Sequence, residues 1–160
     1  MYWSHADFVL QAQYFRDPDR LDEYLNVNQF LTSINNEVSS SLNSTYAHNI
    51  ESLNKFVLVL FSEDQTVVPK ESSWFGSWAP SEDGVAEKTI IPMRLQPLYL
   101  ENRIGIRTLD ERGDLVMWPC KGQHMELSNA CWRPLVRRYI GGDLNVVDEQ
   151  EASAVLMVQS

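Results

Sequence analysis

Phe56-Val57-Leu58-Val59-Leu60-Phe61 is six apolar residues without a break. Unbroken apolarity over that length marks a strand buried on both faces, since a strand with one wet face alternates. Just upstream, Ser44 or Thr45 is placed to cap a helix that carries Tyr46, Ile50 and Leu53 near one face. A helix running almost directly into a buried strand is the signature of a parallel sheet, so the expected class is α/β. Leu115-Val116-Met117-Trp118 reads as a second short buried strand, ended by Pro119 after the turn Asp110-Glu111-Arg112-Gly113. The expected sheet contribution is therefore two core strands plus helices.

Residues 21–38 place Leu21, Leu25, Leu31 and Ile34 at helical spacings, with a break expected near residues 26–28. Residues 39–45 read as a loop. Pro69, Gly76, Pro80 and the run Ser81-Glu82-Asp83-Gly84 make a long connection that carries Trp74, Phe75 and Trp78. Those aromatics give the loop a reason to be ordered, by packing. Residues 101–109 have mixed periodicity that assigns no element. Ser128 is placed to cap a final helix with Trp132, Leu135, Val136 and Tyr139, Pro134 being tolerated in its first turns or at a kink. Gly141-Gly142 closes it, and the tail from 143 begins acidic and ends apolar, with no functional reading.

At 160 residues, 44% apolar and with charges interspersed, the chain has the composition of a folded domain rather than a disordered one. A net charge of −9 repels phosphate backbones and anionic membranes, so nucleic acid is not an expected partner. No stretch approaches a membrane-spanning length. His5, Asp7, Gln11, Gln13 and Arg16 interrupt the first twenty residues, so no signal peptide is visible. Two cysteines, Cys120 and Cys131, permit one disulfide and do not make a metal site; no metal or organic cofactor is implied.

Asp64 lies three residues past the first strand and His124 six past Trp118, with Gly122 able to turn the second loop sharply. A hydrolytic triad needs its acid and its base on loops at one edge of a sheet, so the pair has the right placement. Its partner is missing. No two of the seven glycines stand four apart, so Gly-x-Ser-x-Gly, the turn that presents a hydrolase serine, occurs nowhere in the chain. Cys120 is a conceivable substitute, but a cysteine at a strand end is more often a buried small hydrophobe. His5 and His48 read as surface or packing residues. Arg133 and Arg137, one turn apart, read as a solvated face. Asn43-Ser44-Thr45 is a glycosylation sequon.

From Gln11 to about Gly141 the sequence resembles the C-terminal portion of the lysosomal palmitoyl-protein thioesterases, α/β-hydrolases that remove long-chain fatty acyl groups from cysteine side chains. The resemblance rests on Gln11-Ala12-Gln13-Tyr14-Phe15-Arg16-Asp17-Pro18, Lys55-Phe56-Val57, Ser73-Trp74-Phe75-Gly76, Arg103-Ile104-Gly105-Ile106 and Gly122-Gln123-His124-Met125-Glu126-Leu127-Ser128, in the family's order and near its spacing. It implies Asp64 as triad acid and His124 as triad base, with the oxyanion-hole loop, the serine and the central strands upstream of this chain. It also implies an S-acylated protein or fatty acyl thioester as substrate, a lysosomal or secreted location, and a glycan at Asn43. Val68 departs from the acidic residue usual before the proline, and Gln123 from the one usual before the histidine. The expected division is 1–49 as the end of a helical acyl-binding insertion, 50–142 as the C-terminal part of the hydrolase core, and 143–160 as a tail. The competing expectation is a non-catalytic truncated isoform that acts, if at all, as a binding module.

Overall fold

In the computed structural model, which describes residues 14–81 and 89–141, the six-residue apolar run is strand β1, Phe56–Phe61, and the second run is β4, Leu115–Cys120. They pair in parallel with Phe56 opposite Leu115 and Phe61 opposite Cys120. Leu58, Leu60 and Phe61 are buried, while Phe56, Val57 and Val59 are half-buried. β4 runs two residues beyond the expected stop, through Pro119. The bonds Phe56 N–H to Asp114 O and Ser62 N–H to Cys120 O, each 2.8 Å, bracket the ladder. They turn the even-numbered β4 residues toward β1, so Pro119 sits at a position whose absent N–H points away from the pair and costs no ladder bond.

The helical segment breaks where expected. α1, Leu21–Val27, and α2, Phe30–Ile34, are separated by Asn28, whose extended backbone (ψ 117°) ends the first helix. Its side-chain Oδ1 accepts the Leu31 N–H at 2.8 Å at the start of the second. The helix before β1 is α3, Ser44–Glu51, and here the cap differs from the expectation. Asn43 is the N-cap, its Oδ1 accepting the Thr45 N–H at 3.0 Å. The amide oxygen of Asn reaches the second N–H of the helix as well as a hydroxyl does, so one residue upstream serves equally.

The segment left unassigned, 101–109, follows α4, Pro97–Leu100, and contains the start of α5, Ile106–Glu111. Gly105 starts α5 at φ +81°, and a Cβ there would stand 2.5 Å from Ala47 O and 2.6 Å from Glu51 Cγ. Only glycine allows α5 to approach α3 that closely. Met93, Ile104 and Ile106 form a buried cluster, with Ile50, Phe56, Phe75, Leu98 and Leu115 packed against it. The long connection also holds a two-stranded antiparallel sheet not expected from sequence, β2 (Ser77–Trp78) with β3 (Ile90–Ile91).

The chain divides into two units, residues 1–126 and 127–160. All of the above lies in the first. In the second, α6 spans Asn129–Leu135, with the Ser128 Oγ accepting the Cys131 N–H at 3.3 Å as the cap expected from sequence. Pro134 falls inside it, and the backbone continues as a π-turn over Val136–Ile140. A proline deep in a helix removes one i to i−4 bond, and widening to π geometry directly after it accommodates that loss. Residues 1–13, 82–88 and 142–160, which include His5 and the tail, lie outside the described residues. Among the described residues, no helix is long and apolar enough to cross a membrane, and no group of three metal-ligating side chains occurs.

Candidate active site

Parallel pairing delivers the C-terminal ends of β1 and β4 to one edge of the sheet, and each strand leads into a loop there. Asp64 stands in the loop after β1. Its Oδ1 accepts two backbone N–H groups of its own loop, Thr66 at 2.8 Å and Val67 at 3.0 Å. This self-capped turn fixes the carboxylate and leaves Oδ2 to face across the sheet edge. His124 stands in the loop after β4, and its Nδ1 lies 2.8 Å from Asp64 Oδ2. The two loops are tied directly by the Glu63 N–H, which donates to Gly122 O at 2.9 Å.

Burial divides the pair. The Asp64 side chain is 3% exposed and the His124 side chain 40%. Burial pushes the Asp64 carboxyl up, but the Val67 N–H, the His124 ring and the Thr66 N–H together outweigh it, and the group titrates below the ordinary carboxylate range. An ionised Asp64 accepts a proton-bearing Nδ1, which leaves Nε2 of a neutral ring as a bare acceptor on the open side. Chemically, that is a proton acceptor on a part-exposed ring at the sheet edge.

The other sequence candidates fall elsewhere. His48 is exposed on α3. Arg133 is half-buried and Arg137 exposed on the last helix. Neither Cys120 nor Cys131 is a free thiol, which removes Cys120 as a substitute nucleophile. Trp74 is spent on structure, its indole N–H donating to Leu58 O at 2.9 Å. Phe75 and Trp78 instead line a cavity of about 940 Å³, whose other walls include Leu25, Leu31, Val67 and Leu98. Val67 belongs to the loop that carries Asp64, so the cavity reaches that loop. Its polar margin was not foreseen: buried Glu37 accepts from Tyr24 Oη and Arg16 Nε, each at 2.9 Å. These partners stand 13 and 21 residues away in the chain, and no local pattern announces them.

A protein-family model described as palmitoyl protein thioesterase matches residues 1–124. The chain belongs to the palmitoyl protein thioesterase family. It is 44% identical over 119 residues to palmitoyl-protein thioesterase 1 of Caenorhabditis elegans, covering 74% of this chain and 38% of that protein. It is 39% identical over 115 residues to palmitoyl-protein thioesterase 3 of Dictyostelium discoideum, covering 72% of the chain and 38% of the relative. With the lysosomal thioesterase PPT2 of Mus musculus the identity is 32% over 121 residues, 76% of the chain and 37% of the relative. This thioesterase-family chain thus spans about two-fifths of the length of the curated relatives it matches. The parallel β1–β4 pair with its helices fits the α/β architecture that membership implies.

Acid titration gives a test of the site's electrostatics. Asp110 is held below the usual carboxylate range by its hydrogen bonds from Arg94, against burial and with help from Tyr99. Asp114 is held down by Lys55 and Arg112. For these two and Asp64 the folded value lies below the unfolded one of about 3.9. The stability each adds is fully present above that value and is lost as pH falls through the lowered folded one. The urea midpoint should hold from pH 7 to about 5 and fall below that, and Asp64→Asn should make the acid loss shallower. An equally steep loss in Asp64→Asn would show that Asp64 carries none of it.

Proposed function

We propose that Asp64 and His124 are the acid and base of a Ser-His-Asp hydrolase that cleaves fatty acyl thioesters on protein cysteine. The observation that carries this is the 2.8 Å contact of His124 Nδ1 with a buried, self-capped Asp64, on loops leaving adjacent parallel strands. Asp64 fixes the tautomer, and Nε2 takes the proton of an attacking serine hydroxyl. The serine oxygen bonds the acyl carbon and the carbon–sulfur bond breaks. Because the departing thiol ionises near ~8.5, the sulfur leaves more readily than an amine, and the thiolate takes the proton held on His124, which restores the neutral ring. Water then hydrolyses the serine ester, with His124 again accepting the proton and returning it to the serine. The acyl chain lies in the apolar cavity that begins at Val67.

The serine comes from a segment outside residues 1–160, in keeping with the lack of an elbow here and with the share of the relatives that the chain covers. This chain then forms the C-terminal part of an α/β-hydrolase, with residues to about Asn49 as the end of a helical acyl-binding insertion. Its sheet continues beyond β1. Among the described residues β1 pairs only with β4, and its other edge presents the backbone groups of Val57 and Val59. The outer edge of β4 is blunted by Pro119, so further strands add on the β1 side. The names of relatives such as the lysosomal thioesterase of mouse support a lysosomal or secreted setting. There, Asn43, exposed at the start of α3, would carry the glycan.

Incubated alone with a serine-directed fluorophosphonate, the 160-residue chain should remain unlabelled. Labelling that His124→Ala abolishes would overturn the assignment of the nucleophile to another segment.

A further inference from the structure

The His124 ring is 40% exposed, so packing does little to orient it, and its loop must hold it. That loop closes on Glu126. The Gln123 N–H donates to Glu126 Oε2 at 2.8 Å, and the Glu126 N–H donates to Gln123 O at 3.1 Å. The carboxylate reaching back to the first residue's N–H is the half of a capping box that the third residue supplies, and the backbone bond closes the turn beneath it. The same carboxylate lies over Gly122, where a Cβ would stand 2.7 Å from Glu126 Oε2 and where φ is +133°. Gly122 O in turn accepts the Glu63 N–H, next to Asp64. His124 therefore sits between two residues clasped by one side chain, and the clasp is bonded to the loop of its partner. Met125, at φ +58°, completes the tight turn.

We propose that Glu126 is a positioning residue: its carboxylate oxygen clasps the Gln123 N–H and sets the His124 loop so that Nδ1 meets Asp64. The catalytic significance of this clasp rests on the hydrolase reading above, but the geometry it predicts does not. The needed feature is an acceptor at that reach, not a negative charge. The test is the tautomer of His124 in the ¹⁵N-histidine-labelled 160-residue chain at neutral pH, read by two-bond nitrogen–proton NMR. The unaltered chain should show the Nδ1–H form with a low-field ring proton, and Asp64→Asn supplies the reference for its loss. Glu126→Ala should shift the ratio of Nδ1–H to Nε2–H about fivefold toward Nε2–H, the scale of one hydrogen bond. Glu126→Gln, which keeps an oxygen at the same reach, should stay with the unaltered chain.

An unchanged ratio in Glu126→Ala overturns the proposal, and so does a shift in Glu126→Gln as large as in the alanine variant, which would assign the effect to charge. Circular dichroism on the same samples separates either result from loss of fold, and if the alanine variant does not fold, Glu126→Met, which keeps the stem and removes the acceptor, takes its place with the same expected shift and the same overturning result. Absence of thioester turnover in a polypeptide that joins these residues to their nucleophile-bearing segment, and whose His124 keeps the Nδ1–H form, would sink the functional reading and leave the clasp standing.

Discussion

Asp64→Asn is expected to lower kcat for a fatty acyl thioester by about 10⁴, with KM little changed, in a polypeptide that joins these residues to their nucleophile-bearing segment. The asparagine keeps an oxygen for the Thr66 and Val67 N–H groups, so the turn that carries residue 64 persists. What changes is the group facing His124 Nδ1. An amide NH₂ in place of Oδ2 donates where the carboxylate accepted, which forces the ring proton onto Nε2 and removes the base. The charge that would stabilise the imidazolium goes with it. Because neither change touches the apolar cavity, ground-state binding should survive. Steady-state kinetics on an acyl thioester check this, and a kcat loss below tenfold would exclude Asp64 as the acid.

Ile106→Ala should cost the fold about 3 kcal/mol, within the range of roughly 2 to 5 for a fully buried branched side chain. Ile106 is 0% exposed and packs with Met93 and Ile104 at the start of α5, directly after the glycine that lets α5 close on α3. The glycine's close fit leaves the helix little room to collapse into the space left behind, which favours a retained cavity. A fall in the urea midpoint at unchanged m reads the effect. Ile140, at 80% exposure, is the control, and its alanine variant should lie within about 0.5 kcal/mol of the unaltered chain. Equal effects at the two positions would show that the Met93–Ile106 cluster is not the core.

The regular elements were legible to different degrees for identifiable reasons. β1 and β4 announce themselves because unbroken apolarity is a local property, written in six consecutive residues for β1 and four for β4. The break at Asn28 and the cap at Ser128 are local as well, each a side chain bonding backbone three residues on. α5 was not legible, since its start depends on Gly105 meeting Ala47, a contact between segments 58 residues apart in sequence. The β2–β3 pair was not legible because strands of two residues carry no period.

The same division holds for the site. Sequence by itself placed a carboxylate and an imidazole just beyond two apolar strand runs, the second of which is only half-buried, and showed that no serine elbow accompanies them, because strand ends and short motifs are written in consecutive residues. Tertiary structure decided that the two side chains meet at 2.8 Å, that Val67 joins the cavity to the Asp64 loop, and that Glu126 bonds back to Gln123 beside His124. Those facts depend on the parallel register of β1 and β4 and on turns at unusual φ. A hydrogen bond across 60 residues of chain leaves no pattern in either of the segments it joins.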